Sequence, residues 1–178
     1  DNATQESSDT RVRRAYGLAV RLLHAGVPLK WIIDPNKTIR TAADLTASAR
    51  LRYPSVGSYA PVSFKTGPIA IYPGFETQAA AVISSYGNNI RVYELQNATL
   101  ADVHSNLTHK PYVFVENDNA TIHTSILSAA GLTSGLHYQT GLMTSVTQSQ
   151  CVTIITVPHN DAISVAERNA IIAFTRNG

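Results

Sequence analysis

One cysteine in 178 residues, Cys151, leaves no internal disulfide and no CxxC motif for a zinc ribbon or c-type haem. Charge is sparse as well. Asp, Glu, Lys and Arg make up 15% of the chain, against roughly a quarter in an ordinary soluble protein. A net charge of +2, carried by scattered arginines, is too weak a field to mark nucleic-acid binding. "RVRR" at 11–14 lies on a helical pattern with no aromatic platform beside it, and reads as a solvated helix face. No apolar run reaches the ~18 residues of a membrane-spanning helix. The opening "DNATQESSD" has no signal-peptide core, so a secreted form would already be processed. GxGxxG, GxxxxGK[ST] and GxSxG are all missing, which removes the dinucleotide fingerprint, the P-loop and the serine nucleophile elbow. The histidines (His24, His104, His109, His123, His137 and His159) include no HxH or HExxH pair, so neither a metal nor another cofactor is expected.

Apolar residues, at 44%, are plentiful enough for a full core, and the polar surface falls to Ser, Thr, Asn and Gln. Asn-x-Thr, the acceptor pattern for N-linked glycan, occurs at Asn2, Asn36, Asn97, Asn106 and Asn119. Composition alone accounts for about two such sites. The excess predicts a glycosylated, extracellular or cell-surface chain.

Helical spacing over 10–25 aligns Val12, Tyr16, Ala19 and Leu23, with Gly26 as the stop. Later helices are predicted over 75–87, with Ala79, Val82, Ile83 and Tyr86 inward, over 119–131, with Ile122, Ile126 and Ala129 or Ala130 on one face, and over 161–178, with Ile163, Ala166, Ala170 and Phe174 aligned. "PLKWIID", "GPIAIYPG", "NIRVYELQ", "PYVFVEN" and "CVTIITVPH" read as buried strands, and "TLADVHSNL" as one or two helical turns. Residues 38–64 are less regular, a short helix with a loop or hairpin, and read as an irregular insertion. The alternation predicts one α/β domain over 1–178: a three-layer sandwich whose mostly parallel sheet has about five strands. Its open edge leaves room for a strand from a neighbouring subunit.

In a parallel sheet, chemistry gathers beyond the carboxyl ends of the strands. Glu116 and Asp118 end the fourth strand there and His159 the fifth, so the three form the candidate acid/base cluster. The plainer reading makes Asp118 or Asn119 the cap of the next helix, with His159 and Asp161 capping the one after. Cys151 opens its strand, the wrong end for a nucleophile, and reads as a small buried hydrophobe. On this layout Asn36, Asn97 and Asn119 also follow strands and ring the same edge, where glycans would obstruct a substrate. Tyr53, Tyr59 and Tyr138 in the irregular segments are the candidate aromatic platform for a carbohydrate ligand.

At "AYGLAVRLLHAGVPLKWII" and "CVTIITVPHNDAISVAERNAIIAFTRNG" the chain resembles secreted bacterial proteins that carry a domain similar to the class I glutamine amidotransferase, or flavodoxin-like, fold. The shared features are a helix reading "YGL…LL..AGVP" before an apolar strand, a late strand ending in Pro-His, and an Ala-rich helix closing in "F..NG". The resemblance implies a three-layer α/β fold and an envelope or extracellular setting. Amidotransferases of this class place a Cys on a Gly-flanked elbow and a His-x-Glu pair later. Here Cys151 has no elbow, and His159 is followed by Asn160 and Asp161. The expectation is therefore a non-enzymatic, glycosylated structural protein that self-assembles into an oligomer or polymer such as a filament or surface layer. An extracellular hydrolase or transferase, or a carbohydrate-binding module, is the alternative.

Overall fold

The computed structural model describes residues 9–86, 90–146, 152–156 and 162–177. The chain divides into two compact units, Asp1–His109 and Lys110–Gly178.

In the first unit, helix α1 (Asp9–His24) turns Leu18, Ala19, Leu22 and Leu23 inward, the three-and-four spacing of a core-facing stripe. Tyr16, expected on that stripe, is exposed, because the stripe is centred on Leu18 and Leu22. Past His24, the Val27 N–H donates to the Leu22 carbonyl at 2.9 Å and the Gly26 N–H to Leu23 at 3.0 Å. This pair of bonds closes a helix at a glycine. Helix α2 (Glu76–Ser84) packs on α1. Its Ala79 and Ile83 join Val27, Leu29, Tyr86 and Ile90 in one core cluster.

Two antiparallel sheets of three strands complete this unit. In the first, β1 (Leu29–Ile32) lies between β4 (Ile69–Ile71) and β6 (Val103–Leu107), with Leu29 opposite Ile71 on one side and Leu107 on the other. In the second, β2 (Ala43–Tyr53) lies between β3 (Ala60–Lys65) and β5 (Val92–Leu95).

The second unit holds a parallel sheet in the order β8-β7-β9, built from β7 (Val113–Glu116), β8 (Tyr138–Gly141) and β9 (Ile154–Ile155). A 3-10 turn, Asn117–Asn119, leads from β7 into α3 (Ala120–Ala129), which packs on β7. The Leu132 N–H to Leu127 and Gly131 N–H to Ser128 bonds end α3 at Gly131, as α1 ends at Gly26. A second 3-10 turn, Met143–Ser145, is the contact for the last helix, α4 (Val165–Asn177). Phe114, Val115, Tyr138, Met143 and Val152 are buried here.

This architecture corrects the expected single parallel sheet of about five strands. Among the described residues three small sheets are present instead, two antiparallel and one parallel. A parallel β1–β4 pair would need a helical crossover. The intervening chain instead forms the β2–β3 hairpin, with Ala49 opposite Ala60, and returns so that β4 runs antiparallel to β1. Segment 38–64, read as irregular, therefore contains the longest strand of the fold. "TLADVHSNL", read as helical, contains β6. Its residues have no apolar helical stripe, and β1 offers them an open edge at which Trp31 pairs with Ser105. Ile122 and Ile126, expected on one face of α3, and Ile163 and Ala166, expected to align in the last helical pattern, are exposed.

Candidate functional site

Strand β7 delivers Glu116 to the carboxyl edge of the parallel sheet, where it is only 2% exposed. Its backbone N–H donates to Thr156 Oγ1 at 3.0 Å, and its side chain accepts from the Asp118 N–H at 2.6 Å. Glu116 itself thus caps the 3-10 turn that precedes α3. Asp118 stands beside it, exposed. The third acid at this place is Glu167 of α4. One carboxylate oxygen from each of Glu116, Asp118 and Glu167 lies within 4.8 Å of the other two.

Glu167 was missed by sequence reasoning, although a signal was present. Ser164-x-x-Glu167 is a capping box, in which the Ser164 N–H donates to Glu167 Oε2 at 2.8 Å and the Glu167 N–H to Ser164 Oγ at 3.2 Å. The Ser164 hydroxyl and N–H hold the Glu167 carboxyl below its ordinary range. Three oxygens this close are a suitable donor set for a hard cation. They also bring like charges together, and two of the three acids already serve as helix caps. His159, the remaining member of the expected cluster, and Cys151 lie outside the described residues.

A second polar centre lies in the first unit. Asp44, 6% exposed, opens β2 facing three donors. They are Lys37 Nζ at 2.5 Å, the Gly67 N–H at 2.9 Å and the Asp34 N–H at 3.1 Å. Burial pushes this carboxyl up, but the hydrogen bonds from Gly67, Lys37 and Asp34 together outweigh it and hold the carboxyl below its ordinary value. The loop after β1 and the turn before β4 are thereby tied to one buried charge. That loop carries Asn36, whose N–H donates to Asp34 Oδ1 at 2.8 Å in a side-chain-closed turn.

Asn36, Asn97 and Asn106 are all exposed, and so are the threonines that complete their acceptor patterns, Thr38, Thr99 and Thr108. Asn97 follows β5, and the Thr99 hydroxyl donates to its carbonyl at 3.1 Å. Asn106 lies within β6. Asn119 falls in the 3-10 turn after β7, and Asn2 lies outside the described residues. The expected ring of acceptors around one carboxyl edge is not formed, because β1 and β5 belong to different antiparallel sheets.

The tyrosine platform does not assemble either. Tyr138 is buried in β8, and Tyr53 packs against the core of the first unit. Tyr59 is exposed, but its hydroxyl donates to Glu94 at 3.1 Å, and the Arg50 guanidinium lies 4.8 Å from its ring centre. From the "RVRR" stretch, Arg14 joins Arg21 over the Tyr86 ring at 5.9 and 5.1 Å. Among the other histidines, His137 is buried, with Nδ1 accepting from the Thr133 N–H at 3.0 Å, and His104 meets Trp31 edge-on. No helix among the described residues is long and apolar enough to cross a membrane.

No protein-family model matches the chain, and no curated protein or solved structure does. These comparisons identify no amidotransferase-like family, and the single-sheet sandwich that the resemblance implied is not the fold observed.

Proposed function

We propose that this chain is an extracellular, N-glycosylated protein with a structural, assembling role. The observation that carries the reading is the coincidence of exposure and pattern: at Asn36, Asn97 and Asn106 both the amide and its partner threonine face solvent. The two segments that resemble secreted bacterial proteins point to the same setting. Assembly is supported by the second unit, which exposes Ile122, Ile126, Leu136, Leu142, Val165 and Ile172 to solvent. The first test is intact mass and glycopeptide mapping of natively sourced protein, together with its mass in solution by light scattering. Added hexose-containing mass on these asparagines, with a particle larger than 19.2 kDa polypeptide plus glycan, is the expected result. An unmodified monomer overturns the reading.

A second reading, hydrolysis or transfer by an acid/base cluster, is favoured by one observation, the meeting of Glu116, Asp118 and Glu167. It is tested by screening native protein against glycoside and ester substrates, with Glu116→Gln as control. Turnover that the substitution abolishes would establish it.

A further inference from the structure

The two antiparallel sheets have four edge strands, and three of them carry a device in their own sequence against pairing with another chain. Strand β4 is three residues long. Strand β3 contains Pro61, which has no N–H, and ends at Lys65. Strand β5 carries Glu94, held by Arg50 at 2.8 Å. Short length, proline and charge are the ordinary means of blunting an edge. Strand β6 has none of these three: Val103-His104-Ser105-Asn106-Leu107 is five residues without proline, lysine or acid, and its one irregularity is the register shift at His104, between the Trp31–Ser105 and Ile32–Val103 pairs. Among the described residues it pairs only with β1. It is also the strand that contains a glycan acceptor.

We infer that Asn106 is a glycosylation site whose sugar guards the β6 edge against pairing with β6 of a second copy. The inference rests on the glycoprotein reading above. Tyr72 OH donates to Asn106 Oδ1 at 2.5 Å, while Lys30, opposite Asn106 across the sheet, places its ammonium 4.6 Å from the Tyr72 ring centre. With Oδ1 held, Nδ2 is the free end of the amide, and it is the atom that takes the sugar. Transfer from a lipid-linked diphospho-oligosaccharide forms the C1–Nδ2 bond and breaks the C1–O bond to the diphosphate. It releases the lipid diphosphate and one amide proton. Oδ1 remains a carbonyl, so the Tyr72 bond survives modification. A branched sugar fixed mid-strand rises from the sheet face beside the β6 edge, and its branches overhang the space a second strand would need.

The test is Thr108→Ala in a host that glycosylates asparagine. The exposed Thr108 lies just beyond β6, so the substitution removes the acceptor pattern while keeping Asn106 and its bond to Tyr72. Thr38→Ala and Thr99→Ala serve as matched controls. Each protein is mapped for glycans, sized by light scattering across concentration, and followed by amide hydrogen exchange over 103–107. The expected result is Asn106 occupied in wild type, and self-association at least about tenfold tighter in Thr108→Ala alone, with slowed exchange in β6. Trimming folded wild type with an endoglycosidase, which leaves a single sugar on Asn106, should shift association in the same direction. Glycans at Asn36 and Asn97 with Asn106 bare would overturn this inference and leave the glycoprotein reading standing. No glycan anywhere would overturn both. Occupancy at Asn106 with unchanged association and exchange in Thr108→Ala would overturn the guarding role.

Discussion

Replacing Asp44 with Asn keeps the shape of the side chain and removes its charge and one of its two acceptors. In the native fold Oδ1 takes the Asp34 N–H and the Lys37 ammonium, while Oδ2 takes the Gly67 N–H. An amide placed there must turn its NH2 toward one of these donors. A buried donor left without an acceptor costs about 1–3 kcal/mol, and a hydrogen bond to a charged group contributes about 1.5–3. Breaking a buried ion pair from one side costs about 3–5 kcal/mol, but Lys37 is 16% exposed and can turn to water. We expect a loss of about 2–3 kcal/mol for Asp44→Asn and about 3–4 for Asp44→Ala.

The assay is urea unfolding followed by the fluorescence of Trp31, the single tryptophan, whose indole N–H donates to the Gly67 carbonyl at 3.1 Å. It therefore reports on the element that Asp44 holds. Because the folded carboxyl lies below its ordinary 3.8, its stabilisation is complete above that pH. It is lost as pH falls from there through the folded value. Wild type should lose stability along that acid limb, and Asp44→Asn should lose less. A variant within about 0.5 kcal/mol of wild type, or one with an equally steep acid limb, would refute the assignment of Asp44 as the tie between these loops.

Three further outcomes follow from the same structure. Gly67 has φ of +71° and faces Trp31 so closely that an added Cβ would collide with the indole nitrogen; Gly67→Ala should cost at least the ~1–2 kcal/mol of left-handed backbone and shift the Trp31 emission to the red. Leu29→Ala, at a fully buried position, should cost about 2–5 kcal/mol, whereas Leu100→Ala, at 98% exposure, should stay within about 0.5 kcal/mol, both read by the same urea transition. If Glu116, Asp118 and Glu167 serve only as caps and neighbours, millimolar Ca²⁺ or Mg²⁺ should leave thermal stability unchanged; a cation at 100 times its Kd would instead add about 2.7 kcal/mol, an increase that Glu167→Gln should then remove.

The four helices among the described residues were legible in the chain because each depends on bonds and side chains three or four residues apart, and the run into Glu116 was legible as a continuous apolar stretch. The stops at Gly26 and Gly131 were legible for the same reason. Strand β2 was legible but overlooked: Leu45, Ala47, Ala49, Leu51 and Tyr53 alternate with Thr46, Ser48, Arg50 and Arg52, the two-residue period of a half-buried strand. Strand direction was not legible. An apolar run such as "PLKWIID" suits either sheet type, and only where the hairpin returns the chain decides that β1 meets β4 antiparallel. Strand β6 likewise follows from the open edge of β1 rather than from any preference of its own residues. The encounter of Glu167 with Glu116, and of Gly67 with Asp44, joins residues 51 and 23 positions apart. Local patterns settle where this chain coils and where it extends. Which extended pieces pair, and which acids meet, is decided by burial and hydrogen bonding between distant segments.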